Sequence, residues 1–452
     1  MIPIVTPAEM QAIDAEAAAP VDELIERAGA AVARAALRLL GGGYGRRVVV
    51  VAGAGNNGAD GRAAARRLER RGVRCVVLDA VDLPRPLPPC DLVIDAAFGT
   101  GFRGTWVPPD VGSTPVLAVD IPSGVDGLTG EVAAALPAVA TVTFAASKPG
   151  LVLPPGRWLT GEVEVVDIGL DVTGARARLV TDEDVAAVLP PRPVEAHKWQ
   201  SACRIVAGSP AMAGAATLAA RGALRAGAGY VQAARPGGEP DRPPDPLEAV
   251  GLALERSGWS ADALAGLDRI KAMLIGPGLG LAPLTRASVI EVVAGAAVPL
   301  VIDADGLTAM AEDLDGVAAR SGATVLTPHD GEYVRLMGHA PGADRLAGAR
   351  QLADRAGAVV LLKGPSTVVA SPDGEVAVVT TGDARLATAG TGDVLAGIIV
   401  ALLARGLDAF PAAWAGAHIH ARAAEVGPVD GLVAGDLPDL IPPALAALRA
   451  TS

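Results

Sequence analysis

Lysine and asparagine are almost missing from this chain of 452 residues. Of 38 basic residues only four are lysine (Lys148, Lys198, Lys271 and Lys363), and the only two asparagines stand side by side as Asn56-Asn57. In such a background each survivor is a candidate for a position where substitution would do damage. The lysines are followed by Pro149, Trp199, Ala272 and Gly364, so no Gly-Lys-Ser/Thr exists and a P-loop is excluded. Cysteine occurs three times (Cys75, Cys90, Cys203), an odd number without a CxxC, which suits a reducing cytoplasm rather than a disulfide framework. Aromatic residues make up 3% and offer no stacking platform, and the net charge of −12 opposes phosphate backbones; no nucleic acid partner is expected.

Long hydrophobic runs are also missing. Mean hydropathy is +0.39, but alanine inflates it, and the run at 394–404 is shorter than the ~18 apolar residues of a membrane span. The run at 132–147 is broken by Pro137. The first residues, MIPIVTPAEMQAIDAEA, show neither a basic n-region nor an apolar h-region. A soluble, cytoplasmic protein with no membrane partner is expected.

What is present is alternation. Thr6, Pro7 and Glu9 have the spacing of a capping box that opens a helix, and a second amphipathic helix at 22–40 ends at Gly41-Gly42-Gly43. Apolar runs at 48–52, 73–78, 92–95, 116–120 and 140–144 read as strands of a parallel sheet covered on both faces. Proline clusters loosen the pattern and place a domain boundary near 175. A second α/β series has strands at 204–207, 273–275, 300–302, 324–326 and 359–362, a hairpin at 366–380 and an apolar helix at 392–404. The chain therefore reads as two α/β domains, 1–175 and 176–452.

The first chemical constellation is GAGNNGADG, residues 53–61, between a strand and a helix. Formally it holds G-x-G-x-x-G with Asp79 about 20 residues on, the dinucleotide fingerprint. Its filling argues otherwise: Asp60 at the helix start disfavours a close pyrophosphate, and amide and carboxylate oxygens suit a cation. Asp95 and Asp120 close two further strands, in IDAAFGTG and VDIPSG, at the edge where open α/β sheets bind ligands. As turn chemistry alone, such residues would be ordinary caps.

GAGNNGADG, IDAAFGTG, VDIPSG and TFAASKPG, in this order, resemble the epimerase domain of the bifunctional NAD(P)H-hydrate repair enzymes, a Rossmann-like three-layer αβα sandwich. The resemblance implies that hydrated NADH or NADPH is held by Asn56, Asn57, Gly58, Ala59 and Asp60, by Gly99, Thr100, Gly101, Phe102, Arg103, Gly104 and Thr105, and by Asp120 and Lys148. It implies K⁺ on Asn57, Asp95 and Ser123, with Asp120 as acid/base. For Lys148 a second reading stays open, a surface lysine before a Pro-Gly turn. Ala59 replaces the family's second glycine; a backbone needing positive φ there would cost ~1 kcal/mol or more.

The second constellation is Ala387-Thr388-Ala389-Gly390-Thr391-Gly392-Asp393, which runs into the apolar helix. Small residues at a helix N-terminus make an anion hole, and a carboxylate beside one suits a general base on a hydroxyl attacking a terminal phosphate; the plain reading is a helix cap. With Lys363-Gly364-Pro365-Ser366-Thr367, GPGLG at 276–280 and TPH at 327–329, it resembles the ribokinase-like dehydratase domain of the same repair enzymes. That implies Lys363, Gly364, Pro365, Ser366, Thr367 and Gly392 on the adenosine nucleotide (ADP, or ATP, with Mg²⁺). It implies Ala215, Gly278, Gly280, His329 and Asp393 on the hydrate, with Asp393 catalytic. Ala389, Asp330 and Asp383 depart from the family pattern. A homo-oligomer is expected. The alternative function is a kinase of a small hydroxylated substrate fused to a nucleotide-binding domain. His418 and His420, two apart on one helix, face different ways and are not expected to bind metal.

Overall fold

The computed structural model describes residues 1–102, 104–238 and 245–450. The expected contact Arg103 lies outside the described residues. The chain divides into two compact units, Ile2–Leu179 and Val180–Ser452, the second also taking in Met1.

In the first unit a short strand β1 (Ile2–Ile4) precedes a six-stranded sheet of β2 (Arg47–Ala52), β3 (Arg74–Asp79), β4 (Leu92–Ala96), β5 (Val116–Val119), β6 (Ala140–Phe144) and β7 (Glu162–Val166). The order is β3-β2-β4-β5-β6-β7 and every pairing is parallel. β8 (Ala177–Leu179) returns antiparallel to β1. The apolar runs of β2, β4, β5 and β6 are continuous because both faces are covered, whereas the edge strand β3, expected to be covered as well, is largely exposed. Val48, Val50, Ile94 and Leu117 pack under the helices Val21–Leu40 and Asn56–Glu69. Val49, Val51, Val93 and Ala118 face the other way, under Leu83, Leu87, Trp106 and Val111 of the connecting loops. Each such valine or leucine contributes about 1.5–3 kcal/mol by leaving water. The capping box forms as expected, Thr6 accepting from Glu9 N and Glu9 from Thr6 N.

In the second unit β9 (Ala202–Val206), β10 (Tyr230–Pro236), β11 (Val250–Leu254), β12 (Ala272–Ile275), β13 (Leu300–Ile302), β14 (Thr324–Leu326) and β15 (Val359–Leu362) run parallel. The hairpin β16 (Thr367–Ala370) and β17 (Val376–Val379) extends them antiparallel, in the order β17-β16-β15-β14-β13-β12-β9-β10-β11. The sequence reading missed the short strands β1 and β8 as well as β7, β10 and β11. β7 alternates Glu and Val at a sheet edge, β11 ends the other sheet with Val250 and Gly251 exposed, and β10 beside it is only partly buried.

Helix Thr391–Ala404 lies in the core against helix Ala213–Arg225. Gly397 lets them touch, since a Cβ there would fall 2.2 Å from the Ala219 carbonyl oxygen. No helix among the described residues is long and apolar enough to cross a membrane. All three cysteines are unpaired; burial pushes the Cys75 thiol up to about 11, the Cys203 thiol up to about 12, and Cys90 upward as well.

Helix propensity alone would have Gly397→Ala stabilise the protein by about 1 kcal/mol. The close approach reverses the sign: we expect a loss of about 1–3 kcal/mol in denaturant unfolding.

Candidate functional sites

In the first unit a cavity of about 550 Å³ opens where β2, β4 and β5 end. Asn56, Asn57, Asp60, Gly99, Thr100, Gly101, Phe102, Asp120 and Lys148 all line it. Gly58 and Ala59 sit in the helix behind them, and Gly104 and Thr105 are exposed beyond its rim. The first turn of that helix can hug the strand end only because position 58 lacks a side chain: a Cβ there would meet the Gly53 carbonyl oxygen at 1.9 Å. Ala59 is helical and half-buried, and among the described residues the non-glycine positions with positive φ are Asp120, Ala145 and Ala304. The alanine therefore costs no left-handed strain.

Lys148 is not a surface lysine. It is 1% exposed, and Nζ donates to Asp120 Oδ1 (2.6 Å), Thr143 Oγ1 (2.8 Å) and the Phe144 carbonyl (3.1 Å). Thr143 also donates to Asp120 Oδ1, so Oδ2 is left toward Gly99, from whose Cβ position it would lie 3.6 Å. Asp120 holds φ at 65°, an unfavourable setting for a non-glycine residue that points from geometry to function. Beside it, Asp95 is buried, accepting from Ser123 Oγ (2.6 Å), Ser123 N (2.9 Å) and Ala97 N (3.3 Å); burial raises its carboxyl above the ordinary range. Both polar atoms of the Asn57 side chain are buried without a partner. Sequence reasoning missed Asp14, which lines the cavity from helix Pro7–Ala15 one turn after the buried Met10.

In the second unit the strand ends again converge. Lys363 leaves β15 and its Nζ donates to Asp303 Oδ1 (2.7 Å), which follows β13; Thr327, following β14, donates to the same oxygen (2.7 Å). Asp305 accepts from Gly280 N (2.8 Å), and the Gly278 turn touches Ala215, where a Cβ would meet Ala215 Cβ at 2.8 Å. His329 caps the next helix, its Nδ1 accepting from Gly331 N and Glu332 N. Ser366 is buried, whereas Gly364 and Pro365 are exposed and Thr367 opens β16. Gly392 lies against the Lys363 ammonium, 3.4 Å from its own Cβ position. Burial and the neighbours Asp303 and Asp305 raise Asp393 to about 7 against the pull of Lys363. Burial opposes the charge of Lys363, yet Asp303, Glu332 and Asp393 hold it above its ordinary value. Asp303 and Asp305 were also missed.

The departures are absorbed locally. Positive φ falls on Gly390 (93°), not Ala389. Asp330 forms a two-pronged pair with Arg345 (2.9 and 3.1 Å), and Asp383 caps a short turn and pairs with Arg385. His418 bonds Asp182 and Thr381.

These two strand-end sites carry the motifs by which known proteins are grouped. The family described as NAD(P)H-hydrate dehydratase matches residues 203–444, and that described as YjeF-related protein N-terminus matches 21–86 and 79–150. A bifunctional NAD(P)H-hydrate repair enzyme of Moorella thermoacetica is 36% identical, over 97% of this chain and 96% of its own. The chain belongs to the bifunctional NAD(P)H-hydrate repair enzymes.

Among solved structures, an ADP/ATP-dependent NAD(P)H-hydrate dehydratase of Bacillus subtilis, co-crystallised with ATP and Mg²⁺, is 30% identical; it covers 59% of this chain and 97% of its own, with a TM-score of 0.50. A ribokinase-like superfamily protein of Enterococcus faecalis (22% identity, 62% of this chain and 98% of its own, TM-score 0.53) shows the fold. Membership in the repair enzymes favours repair over a kinase of a small hydroxylated substrate fused to a nucleotide-binding domain.

Asp60 gives this repair enzyme a pH signature. Burial, then Asp120 and Asp14, raise it to about 8. The folded state thus keeps a proton that the unfolded chain releases near 3.8, so rising pH through that window destabilises the fold. Asp60→Asn cannot titrate. Its melting temperature relative to wild type should climb from acidic to mildly alkaline buffer; a constant difference would count against this environment.

Proposed function

We propose that residues 1–175 interconvert the R and S forms of hydrated NADH and NADPH, and that residues 176–452 dehydrate the S form at the expense of ADP, giving AMP and phosphate. The observation that carries the reading is the meeting of Lys363, Asp303 and Asp393 at the N-terminus of helix Thr391–Ala404. A cation and a helix dipole favour phosphate there, and a carboxylate with a value near neutrality is suited to take a proton.

Asp393 removes the proton of the hydroxyl on the ring carbon next to nitrogen, and that oxygen attacks the terminal phosphorus of ADP, releasing AMP. The ring nitrogen lone pair then expels inorganic phosphate, and loss of a proton from the adjacent carbon restores the dihydronicotinamide. Lys363, Gly364, Pro365, Ser366, Thr367 and Gly392 hold the nucleotide; Ala215, Gly278, Gly280 and His329 hold the hydrate. Mg²⁺ bound together with the nucleotide would offset phosphate charge beside Lys363.

In the first domain Asp120, anchored by Lys148, serves as acid/base beside the hydrate. A K⁺ ion fits the all-oxygen group of Asn57, Asp95 and Ser123, and the orphaned Asn57 amide supports it. It would supply compensating charge to the buried Asp95.

The test is recovery of dihydronicotinamide absorbance from hydrated NADH with ADP or ATP. Asp393→Asn should cut recovery by about 10²–10⁴-fold, and Asn57→Ala should stop only conversion of the unusable epimer. No recovery with either nucleotide would sink the reading. Because the base must be ionised, the dehydration rate should rise with pH around 7; a rate independent of pH across that range would count against Asp393 as the base.

A further inference from the structure

Asp303 belongs to none of the motifs that frame the second site, yet the chain goes to some lengths to hold it. Its side chain is buried at 2% exposure, and its Oδ1 takes both the Lys363 ammonium and the Thr327 hydroxyl. The next residue, Ala304, sits at φ 52°, ψ −119°, a setting essentially reserved for glycine that costs of order 1–3 kcal/mol. Across from it, Gly276 approaches so closely that a Cβ would stand 1.9 Å from the Asp303 carbonyl oxygen.

Lys363 is pinned at three places. Its N–H donates to the Pro328 carbonyl (2.8 Å), its carbonyl accepts from Arg345 Nη2 (2.9 Å), and its ammonium is tied to Asp303. A lysine stem is flexible, with several rotamers to lose; here the far end is fixed by a carboxylate that is itself immobile. The fixed end lies over Gly392, beside Asp393, in the first turn of helix Thr391–Ala404. A lysine that merely tethered a nucleotide tail would need no such anchor.

We propose that Asp303 is a positioning residue that aims the Lys363 ammonium at the phosphoryl group during its transfer, where charge spreads over the equatorial oxygens. Donors set in place beforehand stabilise that charge without reorganising at the moment of reaction. The proposal rests on the C-terminal domain being the dehydratase, and it assigns Lys363 a share in the rate beyond nucleotide affinity.

The experiment separates rate from affinity. With the full chain, hydrated NADH and ADP, Asp303→Asn should lower kcat about 100-fold or more, while KM and calorimetric affinity for ADP stay within about threefold of wild type. Lys363→Met should lose a similar factor, and the double variant should be no slower than the worse single one. A loss of ADP affinity matching the loss of rate, or independent losses that multiply in the double variant, would overturn the proposal. Should Asp303→Asn fail to fold, Thr327→Val removes one donor and keeps the charge; a several-fold fall in kcat at constant KM is expected, and an unchanged kcat would overturn it. Wild type that recovers no NADH with ADP or ATP would instead remove the dehydratase reading, and the positioning role with it.

Discussion

In a parallel sheet every strand leaves by the same edge, and both sites depend on that constraint. β2, β4 and β5 deliver Asn57, Asp95 and Asp120 to one rim; β12, β13, β14 and β15 deliver Gly280, Asp303, Thr327 and Lys363 to another. Such a sheet needs both faces of its central strands buried, so those strands are largely apolar and most of the polar side chains stand at their ends or in the loops. The polar groups then lie at the border of a dry interior, where charge interactions are less screened than in water. Asp60 and Asp393, held near 8 and 7, register that location.

The scarce lysines make sense in the same terms. Lys148 and Lys363 are each tied to an aspartate just past a strand end, and each pair sits beside backbone of positive φ, at Asp120 and at Ala304. Arginine, favoured elsewhere in this chain, would bring a planar fork of five donors into a space that accommodates one small ammonium. Removing one partner of such a buried pair strands the other charge, at a typical cost of about 3–5 kcal/mol. By contrast Lys271 is exposed, and Lys198 lies over the Trp199 and Tyr230 rings.

Interior strands were legible to within a residue or two because burial on both faces writes a continuous apolar run. β7 and β11 lie at sheet edges and β10 next to one, where one-sided or partial burial leaves only a mixed pattern. The glycine-rich loops were legible because close backbone approach excludes other residues. Asp14, Asp303 and Asp305 were not: an aspartate in a helix or after a strand looks like a cap until tertiary structure supplies its neighbour. The alanines at 59 and 389 depart from the family pattern, but the first adopts helical backbone and the second has a glycine beside it to carry the turn.

The muted thiols have a practical side. Cys75, Cys90 and Cys203 are all held toward the protonated, unreactive form. A cysteine introduced at an exposed position such as Tyr44 or Trp158 would then be alkylated well before the native three. The wild-type background is thus already close to what a site-selective fluorophore or spin label requires, and the loops around either site could be followed without first removing native cysteines.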